Sequence, residues 1–435
     1  MQGNLLTIPP LRGMILLTQT FPFGLGEPFI AYELADLAAR LGPLSILPVA
    51  RTAAVGCIRA LPAGVSLHRP LLAALATARR RPWPAVLGDL LTDPRARASL
   101  VRGLWDLPHD CAAGPQTRAW PAPRRLMHLL RAVAHAQMVA ACLERLVPDS
   151  ALYYSYWLGP TALAAAWASR AGQARAVARA HGADVEAHRC PPYYLPLRRQ
   201  AMRAVDAVLC VSAAGQAHLE AYAGAPGRLA LCRLGVPTAM ATRASDDGIL
   251  RLLSCARLVP LKRLSLLAAA LARLPSSLQV HWTHLGDGPM ATALARQVAR
   301  LPAHVQVHLA GAQTPAAVAA YYAEHAVDFF VSVSAAEGLP VSIMEALSRS
   351  VPVLATDVGG VAELVGPRCG ALVSADLGAA ELAAAIARVA AADSCQRANW
   401  RRGARATWLA RVALAPQMQA LVAHLAPTPA RAYRL

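Results

Sequence analysis

The segment Ser334-Ala-Ala-Glu-Gly-Leu-Pro-Val-Ser-Ile-Met-Glu-Ala-Leu carries the densest chemistry in the chain. It follows an apolar run, Asp328–Val333, that reads as a strand. Pro340 suits the first turn of a helix, and Gly338 permits a tight approach of backbone to a ligand. Such a helix aims free backbone N–H groups and the positive end of its dipole into a cleft at the strand's carboxyl end. In open α/β sheets ligands bind there, and helix N-termini suit phosphate. Glu337 sits in the loop and Glu345 two turns into the helix. Two carboxylates at one ligand site accept hydrogen bonds from sugar and ribose hydroxyls. Either glutamate alone reads as an exposed helix residue; the whole segment carries the functional reading.

Three further features are candidates. Of 43 basic residues, Lys262 is the only lysine. Where arginine has nearly displaced lysine, a surviving lysine points to a need for its compact ammonium. Arg179-Ala-His181-Gly-Ala-Asp184 follows a predicted strand, which places His181 at a strand end beside a glycine. Phe21-Pro-Phe-Gly-Leu-Gly-Glu-Pro-Phe-Ile follows the first strand, and Gly24 and Gly26 would let backbone lie close to phosphate or sugar. As a bare Gly-x-Gly it reads equally as a plain turn. No Asp-x-Asp triplet is present. No Gly-x-Gly-x-x-Gly opens a helix after a strand, which argues against a dehydrogenase.

Glu337 and Glu345, seven residues apart in between, resemble the paired-glutamate signature of glycosyltransferase family 4. Val351-Pro-Val-Leu-Ala-Thr-Asp-Val-Gly-Gly-Val-Ala-Glu-Leu-Val and Gly370-Ala-Leu-Val are similar to the same family. So are Ser254-Cys-Ala-Arg-Leu-Val-Pro-Leu-Lys and His284-Leu-Gly-Asp-Gly-Pro. The resemblance covers the C-terminal half and is specific for the family, not for the substrate. It implies a GT-B fold: two Rossmann-like α/β domains facing each other across a donor-binding cleft. It implies a retaining transfer of a hexose-type sugar from a nucleotide-diphosphate donor to a saccharide or lipid-linked acceptor. Arg257 and Lys262 would hold the diphosphate and stabilise it as it leaves. Glu345 would bind the ribose and Glu337 the transferred sugar. Gly286, Gly338 and Leu339 would line the donor site, with Gly24 and Gly26 in a loop closing over it. His181 would contact the sugar near the reacting carbon, and Asp184 would orient it or bind acceptor. No essential metal is expected, because two cations and helix N-termini can neutralise a departing diphosphate. Many members have glycine where this chain has Arg263, a departure that bears on the local turn.

The elements that must position these residues are legible as short apolar runs alternating with Ala/Leu-rich helical stretches. Strands are predicted at Met14–Thr18, Leu44–Val49, Ala151–Tyr156, Arg175–Ala180 and Val205–Val211. A second series is predicted at Ile249–Cys255, Val280–Leu285, Val305–Ala310, Asp328–Val333 and Val351–Ala355. Continuous apolar strands between helices imply parallel sheets covered on both faces. The domains are expected at 1–235 (acceptor binding) and 249–410 (nucleotide sugar), with a polar linker over 236–248. Residues 411–435 are expected as a C-terminal helix and tail that pack back on the first domain, with the last ten frayed. Residues 1–13 read as a leader or a misplaced start. Residues 68–147 read as irregular, with Pro-rich loops between Arg79–Arg81 and a helix over 124–147.

Composition narrows the alternatives. The chain has 435 residues, 56% hydrophobic, enough for two or three packed domains. Nine cysteines, an odd number without Cys-x-x-Cys, argue against a disulfide framework or a zinc site and fit a reducing compartment. No secretory signal is evident. The uncharged stretch Ser150–Ser169 is long enough to span a bilayer, but Gly159-Pro160 splits it into strand, turn and helix. The net charge of +18 fits either a solvated Arg-rich surface or attraction to anions. The 124–147 helix reads first as core-facing, with contact to an anionic membrane as the alternative. A cytoplasmic protein, peripheral on the inner face of the membrane, is the expected setting. A nucleotide-sugar epimerase or phosphorylase on the same fold is the nearest rival. A basic nucleic-acid-binding protein is the other, although no recognition motif or basic-aromatic stripe supports it.

Overall fold

A computed structural model describes residues 13–426, except 25, 51–57, 112–121, 148–149, 172–173, 190–192 and 224–227. The expected leader, Gly13 apart, and the end of the expected tail lie outside the described residues. The chain divides into two compact units. One comprises the residues up to Cys232 together with those from Met418; the other is Arg233–Gln417.

The first unit is built on seven strands: β1 (Met14–Thr18), β2 (Leu44–Pro48), β3 (Val65–Leu67), β4 (Leu152–Ser155), β5 (Arg175–Ala180), β6 (Ala207–Cys210) and β7 (Leu229–Leu231). All pair in parallel, in the order β3-β2-β1-β4-β5-β6-β7. Its helices are α1 (Ala31–Leu41), α2 (Arg69–Arg79), α3 (Trp83–Thr92), α4 (Pro94–Asp110), α5 (Ala122–Leu146), α6 (Pro160–Ala171), α7 (Gly182–Val185), α8 (Arg198–Ala204) and α9 (Ala213–Ala223). β1 is buried at every residue, as a strand covered on both faces must be. The stretch Ser150–Ser169 is strand, turn and helix, as expected.

Residues 68–111 differ from the irregular reading. They form α2, α3 and α4, and the prolines taken as loop markers open helices instead. Pro70, Pro84 and Pro94 occupy first-turn positions, where the missing N–H costs nothing. Asp93 caps α4, its carboxylate accepting the N–H groups of Arg95 (2.8 Å) and Ala96 (3.3 Å). Among the described residues, α5 is the one helix long and apolar enough to cross a membrane. Its apolar face packs on α2, α4 and α6, burying Leu129, Val133, Val139 and Leu143.

The second unit carries β8 (Leu250–Cys255), β9 (Val280–Leu285), β10 (Val305–Leu309), β11 (Phe329–Ser332), β12 (Val353–Thr356) and β13 (Gly370–Val373). They too are all parallel, in the order β10-β9-β8-β11-β12-β13. The helices are α10 (Leu264–Leu271), α11 (Ala291–Val298), α12 (Pro315–Glu324), α13 (Val341–Ser348), α14 (Ala379–Ala390), α15 (Ser394–Arg411) and α16 (Leu414–Leu425), the last reaching into the first unit's residues.

The segment expected as a linker, 236–248, runs without helix or strand and is held by specific bonds. It is extended chain bound to the second unit, because Asp328 gathers it in. That carboxylate accepts Ser245 N (2.9 Å), Ser245 Oγ (2.6 Å) and Arg251 N (2.8 Å). At the chain's end, Arg175 of the first unit donates to the carbonyls of His424 and Leu425, both at 3.3 Å.

In both sheets the strand order reverses once, between β1 and β4 and between β8 and β11. Adjacent loops diverge at such a point and leave a crevice outside the carboxyl ends of the strands. Loops 19–27 and 156–159 leave one reversal point; loops 256–262 and 333–339 leave the other. The residues singled out from the sequence lie in these loops or beside them.

Candidate functional site

At the second unit's reversal point, β8 ends at Cys255 and turns through Ala256 into a tight 3-10 turn, Pro260–Lys262. Arg263 follows at φ 48°, the left-handed conformation that a glycine adopts without strain. Here an arginine adopts it and is held there. Its guanidinium donates to the carbonyls of Val333 (2.7 Å), Ser334 (3.1 Å) and Ala375 (2.6 Å). The family's departure at this position therefore leaves the turn in place and ties it to the end of β11.

The neighbouring turn is fixed by a relay of buried side chains. Trp282 Nε1 donates to Ser254 Oγ (2.8 Å), and His284 Nε2 lies 3.1 Å from the Ala256 carbonyl. His284 Nε2 must be the donor there, so Nδ1 accepts from Ser254 Oγ at 2.8 Å. Burial pushes the His284 imidazole down to about 4, which keeps it neutral and in that tautomer. Gly286, at φ 144°, lies against the same carbonyl: a Cβ there would stand 1.9 Å from Ala256 O. Gly286 thus shapes the turn by backbone contact.

Glu337 is buried and accepts a hydrogen bond from Ser334 Oγ (2.6 Å) and an ion-paired hydrogen bond from Lys262 Nζ. Ser334 is itself anchored, its carbonyl accepting Thr356 Oγ1 at 2.6 Å. Gly360 N donates to Gly338 O (2.8 Å), and a Cβ on Gly359 would lie 1.8 Å from Glu337 O. The loop is therefore clamped along its backbone. Leu339 is buried.

Glu345, in α13, is half-buried. Burial pushes the Cys255 thiol up to about 12, with the Glu345 charge adding to the rise and Lys262 opposing it. Both charges thus lie close to the end of β8. Arg257 is exposed. Ser254, Cys255, Lys262, Ser334, Glu337 and Ser342 line a small cavity between the ends of β8 and β11. The cavity presents one cation, one carboxylate and the start of α13, groups that suit an anionic, hydroxyl-bearing ligand. Among the described residues no group of three or more His, Cys, Asp or Glu side chains is placed to hold a metal ion.

The first unit's reversal point is organised differently. Glu27, at φ 52°, turns its buried carboxylate back on the loop after β1. It accepts the N–H groups of Gln19 (3.1 Å), Thr20 (2.6 Å) and Phe21 (2.8 Å), the Thr20 hydroxyl (3.2 Å) and Trp157 Nε1 (2.5 Å). Gly24, at φ 64°, has open space around it, while a Cβ on Gly26 would stand 2.7 Å from Thr20 Oγ1. Gly26 therefore allows the loop to close on itself.

His181 follows β5 directly and is buried among rings: Trp157 at 4.7 Å, Tyr156 at 5.2 Å and Phe29 at 5.6 Å between centroids. Asp184 Oδ2 accepts the His181 N–H at 2.9 Å, capping α7. Asp184 thus holds the His181 backbone in place. Two residues earlier, Arg179 donates to both oxygens of Glu33 (2.6 and 2.9 Å), and Tyr156 Oη donates to Glu33 Oε2 (2.8 Å).

Sequence reasoning missed Glu33 and gave Glu27 no role, although Glu27 stands within the quoted Phe21–Ile30 motif. It also passed over Ser334 and the Ser254–His284 relay. An isolated glutamate in an amphipathic helix gives no sign of a partner 146 residues away.

Two parallel sheets with the Rossmann strand order define the GT-B fold, and solved structures agree. The Anabaena protein HepE, in complex with UDP and glucose, superposes with a TM-score of 0.61 at 16% identity, covering 95% of this chain and 99% of that one. A model of glycosyltransferase family 4 matches residues 92–240, and one of glycosyl transferases group 1 matches 250–392. The two segments together cover well over half of the chain and mark it as a glycosyltransferase of the family 4 and group 1 type. Two curated relatives are similar. The provisionally assigned teichuronic acid biosynthesis glycosyltransferase TuaC of Bacillus subtilis is 27% identical over 58% of this chain. The provisionally assigned colanic acid biosynthesis glycosyltransferase WcaL of Salmonella typhimurium is 26% identical over 52%. The matched regions span 64% and 58% of those relatives' own lengths.

Proposed function

We propose that this chain transfers a hexose-type sugar, with retention, from a nucleotide-diphosphate donor to a saccharide or lipid-linked acceptor in cytoplasmic polysaccharide assembly. The observation that carries it is the Lys262–Glu337 pair between the ends of β8 and β11, clamped by Ser334, with Arg257 on the same loop as Lys262. In this reading Lys262 leaves Glu337 for the donor's diphosphate, and Arg257 joins it there. Glu337 then accepts hydroxyls of the sugar, and Glu345 those of the ribose. No metal is required in this scheme, since the two cations take the charge that develops on the leaving diphosphate. His181 contacts the transferred sugar near its reacting carbon. The departing diphosphate removes the proton of the acceptor hydroxyl as that oxygen attacks from the same face. HepE was captured with UDP and glucose, and both curated relatives are named for polysaccharide biosynthesis, which supports the donor and acceptor classes.

The test is thermal stabilisation by UDP-, GDP-, ADP- and dTDP-linked sugars, with Lys262→Ala and Glu337→Ala alongside. A donor at 100 times its Kd stabilises by about 2.7 kcal/mol. One donor class is expected to stabilise the parent, and Lys262→Ala to abolish the effect. A folded parent that responds to no nucleotide sugar would overturn the reading. Product analysis separates transfer from epimerisation, which needs no acceptor.

A further inference from the structure

Among the described residues, eight of the twelve large hydrophobic side chains that stand exposed fall between Trp83 and Met127. On α3, Trp83, Leu87 and Leu91 recur every fourth residue and so share a stripe. On α4, Val101, Leu104 and Trp105 share one face, opposite the buried Ala96, Ser99 and Gly103. Two more stand near the start of α5. The exposure is large where it counts: Leu91 is 65% and Trp105 80% exposed. α3, α4 and α5 pack on one another, so these side chains belong to one helical platform.

The charge on the platform is one-sided. Arg80, Arg81, Arg97, Arg102, Arg124 and Arg131 are exposed. The four acids between residues 58 and 131 are all engaged: Asp89 by Arg81, Asp93 by Arg95, Asp106 by Arg199 and Asp110 by the Tyr222 hydroxyl. Apolar stripes with indoles, rimmed by cations, match the boundary between headgroups and acyl chains. A second copy fits poorly, because a symmetric contact would set arginines against arginines.

We propose that α3 and α4 form a docking face for an anionic lipid bilayer, with Trp83, Leu91 and Trp105 entering the interfacial layer and the arginines lying on acidic headgroups. This differs in place from the sequence expectation. Arg79 is turned inward onto the carbonyls of Val49 and Ala50, and the apolar face of α5 is spent on the core. The proposal rests on exposure and charge and does not depend on the transferase reading.

Co-sedimentation of the full chain with vesicles of phosphatidylcholine, alone or mixed with phosphatidylglycerol, tests it. The parent is expected to pellet with the mixed vesicles at low salt, at least about tenfold more tightly than with phosphatidylcholine alone, and to be released by salt. Leu91→Ser combined with Trp105→Ser should weaken binding about tenfold or more. Arg97→Ser with Arg102→Ser should weaken it about twenty-five-fold, at roughly fivefold per arginine. These side chains are exposed, so both pairs should melt with the parent, and Leu409→Ser, exposed in the second unit, should pellet as the parent does. The proposal falls if the parent stays in the supernatant, if it binds both vesicle types equally, or if the Leu91/Trp105 pair binds as the parent does. A concentration-dependent dimer of the parent that the Leu91/Trp105 pair dissolves would overturn it in favour of self-association. Donor stabilisation of the Leu91/Trp105 variant, equal to the parent's, separates this outcome from failure of the transferase reading.

Discussion

The two units place charged residues at the same topological position and use them in opposite ways. At the β1/β4 reversal, the charges are consumed internally. Arg179 and Glu33 are 0% and 2% exposed and satisfy one another, while Glu27 spends its carboxylate on three backbone amides, a hydroxyl and an indole. At the β8/β11 reversal, Lys262 keeps a fifth of its side chain exposed, Arg257 faces solvent and Glu345 is half-buried. One set is sealed from water; the other keeps contact with solvent. Identical strand order therefore does not predict the job of the charges at the crevice, whereas their burial and number of partners does.

The largest effect that would break this contrast is on stability. Arg179→Met leaves Glu33 buried without its cation and should cost about 3–5 kcal/mol in urea unfolding. Lys262→Ala should cost only about 1 kcal/mol, because Ser334 still binds Glu337 and the lysine already reaches water. Equal losses would mean that both pairs are structural. The next effect is the share of the pH dependence that His284 contributes. His284 titrates near its ordinary value when unfolded and at about 4 when folded. The unfolded chain thus binds the extra proton between those values. The stabilisation is complete above pH 6.5 and is lost as pH falls through 4, by up to about 3 kcal/mol. His284→Gln, compared with the parent by thermal unfolding at pH 4.5 and pH 7.5, should lose much of that slope. An unchanged slope would remove the relay from the account of the turn. A third effect belongs to Glu27. Glu27→Gln keeps the shape but weakens charge-assisted bonds, at about 1.5–3 kcal/mol, and should alter the emission of Trp157. A variant as stable as the parent, with unaltered emission, would make Glu27 a passenger in its loop.

The sheets were legible as short β-like runs between helical stretches: Met14–Thr18 is unbroken apolar, while Arg175–Ala180 and Val280–Leu285 carry arginines or histidines among alanine, valine and tryptophan. β3 and β7 were not, since each is a three-residue edge strand, largely half-buried, with no run to detect. α3 and α4 were hidden by prolines, which mark a helix start as readily as a loop. At the site, Lys262, Glu337 and Glu345 declared themselves through rarity and spacing. Glu33 did not, because its partner arrives only when β5 docks beside β4. The anchoring of the 236–248 segment was hidden for a similar reason: Ser245 looks solvated until Asp328 is brought to it.

The parallel arrangement also sets an order in time. The indole–carboxylate bond joining Trp157 to Glu27 closes a span of 130 residues, and the Arg179–Glu33 pair one of 146. In the second unit, Lys262 and Glu337 lie 75 apart. Contacts so distant along the chain carry the entropy of closing a long loop before anything is gained from them, and they form late. A ribosome moving from the N-terminus must release β1 and its glutamate well before the strands that bury them. Until β4 and β5 emerge, the nascent chain holds Glu27 and Glu33 as ordinary solvated carboxylates on an unclosed sheet.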